Sequence, residues 1–164
     1  MAKAKLTHVD ETGAVRMVDV SGKATTVRRA VARGTVVFGA EAFRLLRANR
    51  LAKGDALAVA RLAGIQAGKR TAEWIPLCHT VPLARLDVAI ELQTRGRRAR
   101  ITATAEARWA TGVEMEALVA VSAAALALYD MAKAVDRAIV IEEIALVEKS
   151  GGRSGSWRRS GRRP

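Results

Sequence analysis

Cysteine is nearly absent from this chain. Cys78 is the only one among 164 residues, so no intrachain disulfide and no thiolate metal cluster can form. Histidine is almost as sparse, and His8 with His79 cannot assemble a metal site of a familiar kind. Aromatic residues make up 4% of the sequence. Phe38 and Trp109 are the only ones in the expected strands, both at strand ends, which argues against a sheet that stacks unpaired bases. No window reaches the ~18 to 20 consecutive apolar residues of a membrane helix. The most apolar stretch, Val119 to Met131, is interrupted by Asp130 with Lys133 close behind. Met1 to Asp10 carries lysines but no apolar run of signal-peptide length. These absences lead to the expectation of a soluble, cytoplasmic protein with no membrane partner and no specific nucleic-acid partner.

What is present fits one globular domain. Half of the residues are apolar, mostly Ala, Val and Leu, and 27% are charged. Small side chains let helices lie close to a sheet or to each other. The net charge is +12. Five cations, Arg153, Arg158, Arg159, Arg162 and Arg163, fall in residues 150–164 with no acid, which leaves +7 on the rest. That Gly/Ser/Arg-rich end lacks apolar periodicity and is expected to be without order from residue 156 on. The body is still basic, a bias toward an anionic ligand.

Periodicity supplies the elements. Val15 to Val20 alternates as a strand would, and Thr25 to Phe38 is rich in Val and Thr. Ala40 to Ala48 has the spacing of a short helix, with Phe43 and Leu46 inward. Lys53-Gly54-Asp55 breaks the chain before a helix expected over Ala56 to Trp74, which Ile75-Pro76 ends. Leu86, Val88, Ile90 and Leu92 share one strand face. Arg95 to Arg98 turns the chain, and Ile101, Ala103, Ala105 and Ala107 line the returning strand. A long helix follows over Val113 to Asp136, with Thr111 as its expected N-cap and Glu114 and Glu116 in its first turn. Ile139 to Val147 closes as a strand. With the short helix set aside, the order β-α-β-β-α-β predicts an α+β, ferredoxin-like split βαβ sandwich, an antiparallel sheet with helices on one face.

Four segments hold polar residues that a core does not require: Lys53-Gly54-Asp55, Leu77-Cys78-His79, Gly112 to Glu116, and Tyr129 to Lys133. Lys53 and His79 also suit solvated loops, and Glu114 and Glu116 suit helix-terminus electrostatics. Asp130 and Lys133 share a helix face at i and i+3, the usual spacing of a surface ion pair, but Ala, Leu and Met surround them, and burial there would shift their protonation. Gly151 to Gly155 is glycine-rich but lacks Walker spacing. It suits a flexible strap reaching a phosphate as well as it suits a solvated tail.

Taken in order, Met17 to Val20, Lys53 to Asp55, Ala63 to Ala67, Ile75 to His79, Thr111 to Leu118, Tyr129 to Met131 and Lys149 to Gly152 closely resemble the cyclic pyranopterin monophosphate synthase family of molybdenum-cofactor biosynthesis. The resemblance runs from about Leu6 to Gly155. It implies one synthase domain over residues 1–155, a basic tail over 156–164, and a lyase acting on a cyclised dihydro-GTP with release of pyrophosphate. It implies no metal and no redox cofactor. Asp130 is similar to the family's active-site aspartate, and Lys53 and Lys133 to its acid/base lysines. Leu77, Cys78 and His79, with Met115 and Glu116, match substrate-binding segments. Arg28, Lys69 and Lys149 resemble positions facing the triphosphate. Where Arg153 stands the family commonly has lysine; arginine keeps the charge and adds a planar fork for phosphate, but does not suit proton transfer.

Geometry adds a constraint. Asp130 lies 14 residues after Glu116 on one expected helix, or about 21 Å at ~1.5 Å per residue. One nucleotide-sized ligand cannot span that and also reach Lys53 and His79, so either the helix breaks or a second chain completes the site. The resemblance implies the latter, in a homohexamer built as a trimer of dimers.

Overall fold

A computed structural model describes residues 13–160. The sequence readings on Met1 to Asp10 and on residues 161–164 lie outside the described residues. Element order is β1 (Thr26–Val37), α1 (Ala40–Arg47), α2 (Ala56–Lys69), α3 (Thr71–Trp74), β2 (Arg85–Gln93), β3 (Arg98–Trp109), α4 (Glu114–Ala132), β4 (Val140–Ser150) and β5 (Trp157–Arg158). The strands form one antiparallel sheet in the order β2-β3-β1-β4-β5. Its first four strands carry the ferredoxin-like arrangement expected from the alternating pattern.

The β2–β3 hairpin shows why the pattern was readable. Ile101, Ala103 and Ala105 on β3 are wholly buried, while Thr102 and Thr104 between them are partly exposed and Arg100 before them is exposed. Val88 on β2 is buried opposite Ala103. Gly96, at φ +82°, provides the left-handed residue of the turn, which Arg97 N–H closes on the Thr94 carbonyl at 3.1 Å. β1 runs between β3 and β4 and is the central strand.

Helices α2 and α4 pack together and α4 lies on the sheet, both made possible by missing side chains. A Cβ on Gly64 of α2 would stand 2.8 Å from the Ala120 carbonyl of α4. A Cβ on Gly34 of β1 would stand 2.7 Å from Val121 of α4. The core is correspondingly fine-grained: Ala30, Ala32, Ala117, Ala120, Ala124 and Ala125 are fully buried, and Phe38, Ile101 and Leu128 are the largest of the fully buried side chains.

Several expectations change. Val15 makes an isolated bridge and residues 16–20 form no strand; there the Val18 carbonyl bonds instead to His79 at 2.8 Å. The helix expected over Ala56 to Trp74 is two helices parted at Arg70, where φ is −116°. Thr111 does not cap α4, whose N-cap is Val113 with no side-chain bond. α4 is, by length and composition, long and apolar enough to cross a membrane, contrary to the window reading, but most of it is buried against α2 and the sheet as a core helix. Trp157 and Arg158, in the segment expected to lack order, pair with Lys149 and Glu148.

Candidate active site

Two cavities open beside the N-terminus of α4 and share a wall of Lys23, Thr111, Gly112 and Glu114. The first, about 340 Å³, is lined also by Val18, Leu77, Cys78, His79, Met115 and Glu116. The second, about 610 Å³, is lined also by Arg28, Lys149, Gly152, Arg153 and Ser154. Eight of the expected substrate-binding residues thus converge: five on the first cavity, and Arg28, Lys149 and Arg153 on the second.

Local structure places each group. Leu77 to His79 follow the break after α3, where Cys78 N–H bonds the Ile75 carbonyl at 3.0 Å. His79 Nε2 lies 2.8 Å from the Val18 carbonyl, which makes it the protonated nitrogen and leaves Nδ1 as the ring's acceptor when neutral. Arg28 donates to the Trp109 and Ala110 carbonyls at 3.2 and 3.0 Å. Lys149 reaches Ser154 Oγ at 2.5 Å and lies 3.7 Å from Glu114.

Electrostatics separate the two cavities. Glu116 is only 4% exposed. Burial raises its carboxyl to about 7, opposed in part by a bond from its own backbone, and the neighbouring Glu114 charge adds a lesser upward push. Burial also raises the Cys78 thiol, with the Glu116 charge adding to it, so Cys78 is a poor nucleophile at neutral pH. The second cavity gathers Lys23, Arg28, Lys149 and Arg153 against the single carboxylate of Glu114.

The remaining residues stand apart. Lys53 Nζ donates to Asp130 Oδ2 at 2.6 Å and to the Asp130 carbonyl at 2.9 Å, and Lys133 Nζ lies 2.7 Å from Oδ1. The loop that presents Lys53 turns at Gly54, φ +93°, and Asp55 caps α2 by accepting from Ala58 N–H at 2.9 Å. Of the two readings of Asp130 and Lys133, the structure shows the surface ion pair: their side chains are half-exposed, because Leu128, Met131 and Ala132 take the inward face of this last turn. Asp130 is lowered to about 2, first by the Lys133 bond and then by that of Lys53, and Lys133 is raised by the same carboxylate. α4 runs unbroken from Glu114 to Ala132. The Lys53–Asp130–Lys133 cluster and the two cavities therefore sit at opposite ends of one helix. Lys69 is exposed on the last turn of α2 and lines neither cavity.

Lys23 was missed by sequence reasoning. It borders both cavities, yet nothing marked it beyond Ser21-Gly22 before it; only the fold brings it to Glu114.

Residues 17–152, which hold every one of these groups except Arg153 and Ser154, match the model of the MoaC family. A cyclic pyranopterin monophosphate synthase of Thermomicrobium roseum is 56% identical over 156 residues, 95% of this chain and 94% of the relative. One from Parvibaculum lavamentivorans is 50% identical over 158 residues, 96% of this chain and 99% of the relative. Human molybdenum cofactor biosynthesis protein 1 is 51% identical over 160 residues, 98% of this chain but 25% of the longer relative. With the matched span covering β1 through β4 and near-full-length relatives sharing half or more of their residues, the chain belongs to the MoaC family.

Proposed function

We propose that this chain is a cyclic pyranopterin monophosphate synthase, a lyase of molybdenum-cofactor biosynthesis. Its substrate is the cyclised dihydro-GTP, (8S)-3',8-cyclo-7,8-dihydroguanosine 5'-triphosphate. The observation that carries the reading is the bipolar cleft. One cavity offers His79, Cys78, Met115 and the near-neutral Glu116 to a heterocycle, and the adjoining one offers Arg28, Lys149 and Arg153 to a polyphosphate. Guanidinium and ammonium groups bind phosphate by charge-assisted hydrogen bonds, and the uncapped N-terminus of α4 adds its dipole.

The chemistry is a rearrangement. The purine ring opens and recloses, and a sugar hydroxyl attacks the α-phosphorus to form the cyclic monophosphate and expel pyrophosphate. It calls for proton transfers and for neutralising charge on the leaving group. Asp130, ionised far below neutral pH, is no proton donor there; it holds Lys53 and Lys133 together as ammonium groups. Lys133, with its raised affinity for a proton, enters the reaction as an acid.

A second copy of the chain completes the site in this reading, which the separation of the two residue sets along the unbroken α4 supports. The outer faces of α2, α3 and α4 expose Val59, Leu62, Trp74 and Leu126 around the buried Ala67 and Ala123. Ala123 is the midpoint between Glu116 and Asp130. A two-fold contact centred near it, with the two α4 helices antiparallel, sets the cavities of one protomer against the Lys53–Asp130–Lys133 cluster of its partner. The homohexamer implied by the resemblance would contain three such pairs. A single thiol that closes no intrachain disulfide suits a reducing cytoplasm.

The test is pyrophosphate release from the cyclised dihydro-GTP, with GTP as control. Release from the cyclised compound alone, with a pterin product, is expected. A folded oligomer that releases none from either compound would refute the assignment.

A further inference from the structure

The second cavity is walled on one side by a turn that leads into residues beyond the span matched to the family. β4 ends at Ser150, and Gly151, Gly152 and Gly155, at φ +101°, +69° and +61°, reverse the chain, with Gly155 N–H bonding the Gly152 carbonyl at 3.1 Å. The returning arm then pairs with β4: Trp157 opposite Lys149, Arg158 opposite Glu148, and Arg159 N–H donating to the Val147 carbonyl at 2.8 Å. Arg159 Nε adds a bond to the Leu146 carbonyl at 2.8 Å, and Arg158 lies 3.7 Å from Glu148. The turn lies so close on β1 that a Cβ on Gly152 would overlap the Arg28 guanidinium, and one on Gly151 the Val27 carbonyl.

We propose that β5 is a clasp for the anion-binding cavity: by pairing with β4 it fixes the 151–156 turn, so that Arg153 and Ser154 stand beside Arg28 and Lys149 before any ligand arrives. This rests on the functional reading above and assigns a positioning role to Trp157, Arg158 and Arg159, which do not line the cavity. A three-glycine turn held at one stem only would sample many conformations, and a ligand would have to order it on binding. Pairing the second stem removes that cost in advance. The alternative, that the tail acts through its charge, does not fit Arg158 and Arg159, whose side chains are engaged by β4 rather than aimed at the cavity.

Three variants of the full chain decide the matter. Arg159→Pro removes both bonds to β4, truncation after Ser156 removes the clasp entirely, and Arg162→Gln with Arg163→Gln removes distal charge while sparing β5. Inorganic pyrophosphate is the binding probe, read by calorimetry. For the first two variants the Kd for pyrophosphate and the KM for the cyclised nucleotide rise about tenfold while kcat stays within about twofold. Amides of residues 151–156 exchange faster with deuterium, and the third variant matches wild type. Unchanged pyrophosphate affinity in Arg159→Pro, in the face of faster exchange, overturns the proposal. So does an equal loss in the Arg162→Gln, Arg163→Gln variant, since that assigns the effect to charge. If wild type binds pyrophosphate in this pattern yet leaves the cyclised nucleotide unchanged, the clasp stands and the synthase assignment falls.

Discussion

Glu116 and Asp130 are carboxylates on the same helix, moved in opposite directions by their surroundings. Burial raises Glu116 to about 7, whereas two ammonium groups lower Asp130 to about 2. An unfolded glutamate ionises near 4.5, so between about 4.5 and 7 the folded chain holds a proton that the unfolded chain has lost. Stability is therefore greatest below that window and falls as pH rises through 7. Glu116→Gln abolishes the fall: urea unfolding should find it more stable than wild type by roughly 1–3 kcal/mol at pH 8 and equal near pH 4.5. Asp130 has the opposite sign, its ion pairs persisting above about 3.8 and disappearing as pH drops through about 2. Lys133→Ala should cut turnover by ~100-fold or more and raise the Asp130 midpoint, read by NMR. Its unfolding midpoint should barely move, since half-exposed ion pairs contribute little. The sequence made Asp130 and Lys133 legible because i, i+3 spacing on a helix is local. Lys53 joined them only through the family resemblance, because a bond across 77 residues has no local signature. Their exposure is not legible in the sequence, since a run of Ala, Leu and Met does not reveal which face the helix turns inward.

At the level of elements, periodicity was a sound guide wherever a face is buried. Strands β1 to β4 and helices α1, α2 and α4 all lie where alternating or 3.6-residue patterns put them. The departures occur where loops, not side-chain periodicity, satisfy the backbone. Residues 16–20 alternate yet serve as a wall of the first cavity, and Arg70 interrupts a helix whose apolar spacing continues past it. β5 was invisible because two residues carry no period; its pairing comes from the partner strand. The α2–α4 contact depends on glycine in a way that composition foreshadowed but did not locate. Gly64→Ala forces a methyl against the Ala120 carbonyl, 3.1 Å from Val88 and 3.3 Å from Ala124. Overpacking of this kind should cost about 1–3 kcal/mol in denaturant unfolding. Gly68→Ala meets Leu86 at 2.6 Å and the Glu116 carbonyl at 3.0 Å. It should also lower substrate affinity by shifting the first cavity, a change visible as a raised KM.

For the molecule as a whole, the main structural result is a separation. A nucleotide-sized cleft and a lysine–aspartate–lysine cluster occupy opposite ends of an unbroken 19-residue helix. The helix-length argument anticipated this from the sequence; the exposed apolar stripe along α2 and α4 became apparent only in the folded chain. Combining chains altered at the two ends tests the account most directly. Glu116→Ala and Asp130→Ala proteins, each inactive alone, are mixed under conditions where mass spectrometry confirms subunit exchange, and pyrophosphate release from the cyclised nucleotide is followed. Shared two-fold sites predict recovery to about a quarter of wild-type activity at equal mixing, because half of the pairs are hybrid and each hybrid carries one intact site. Verified exchange without recovery would contradict a site built between protomers.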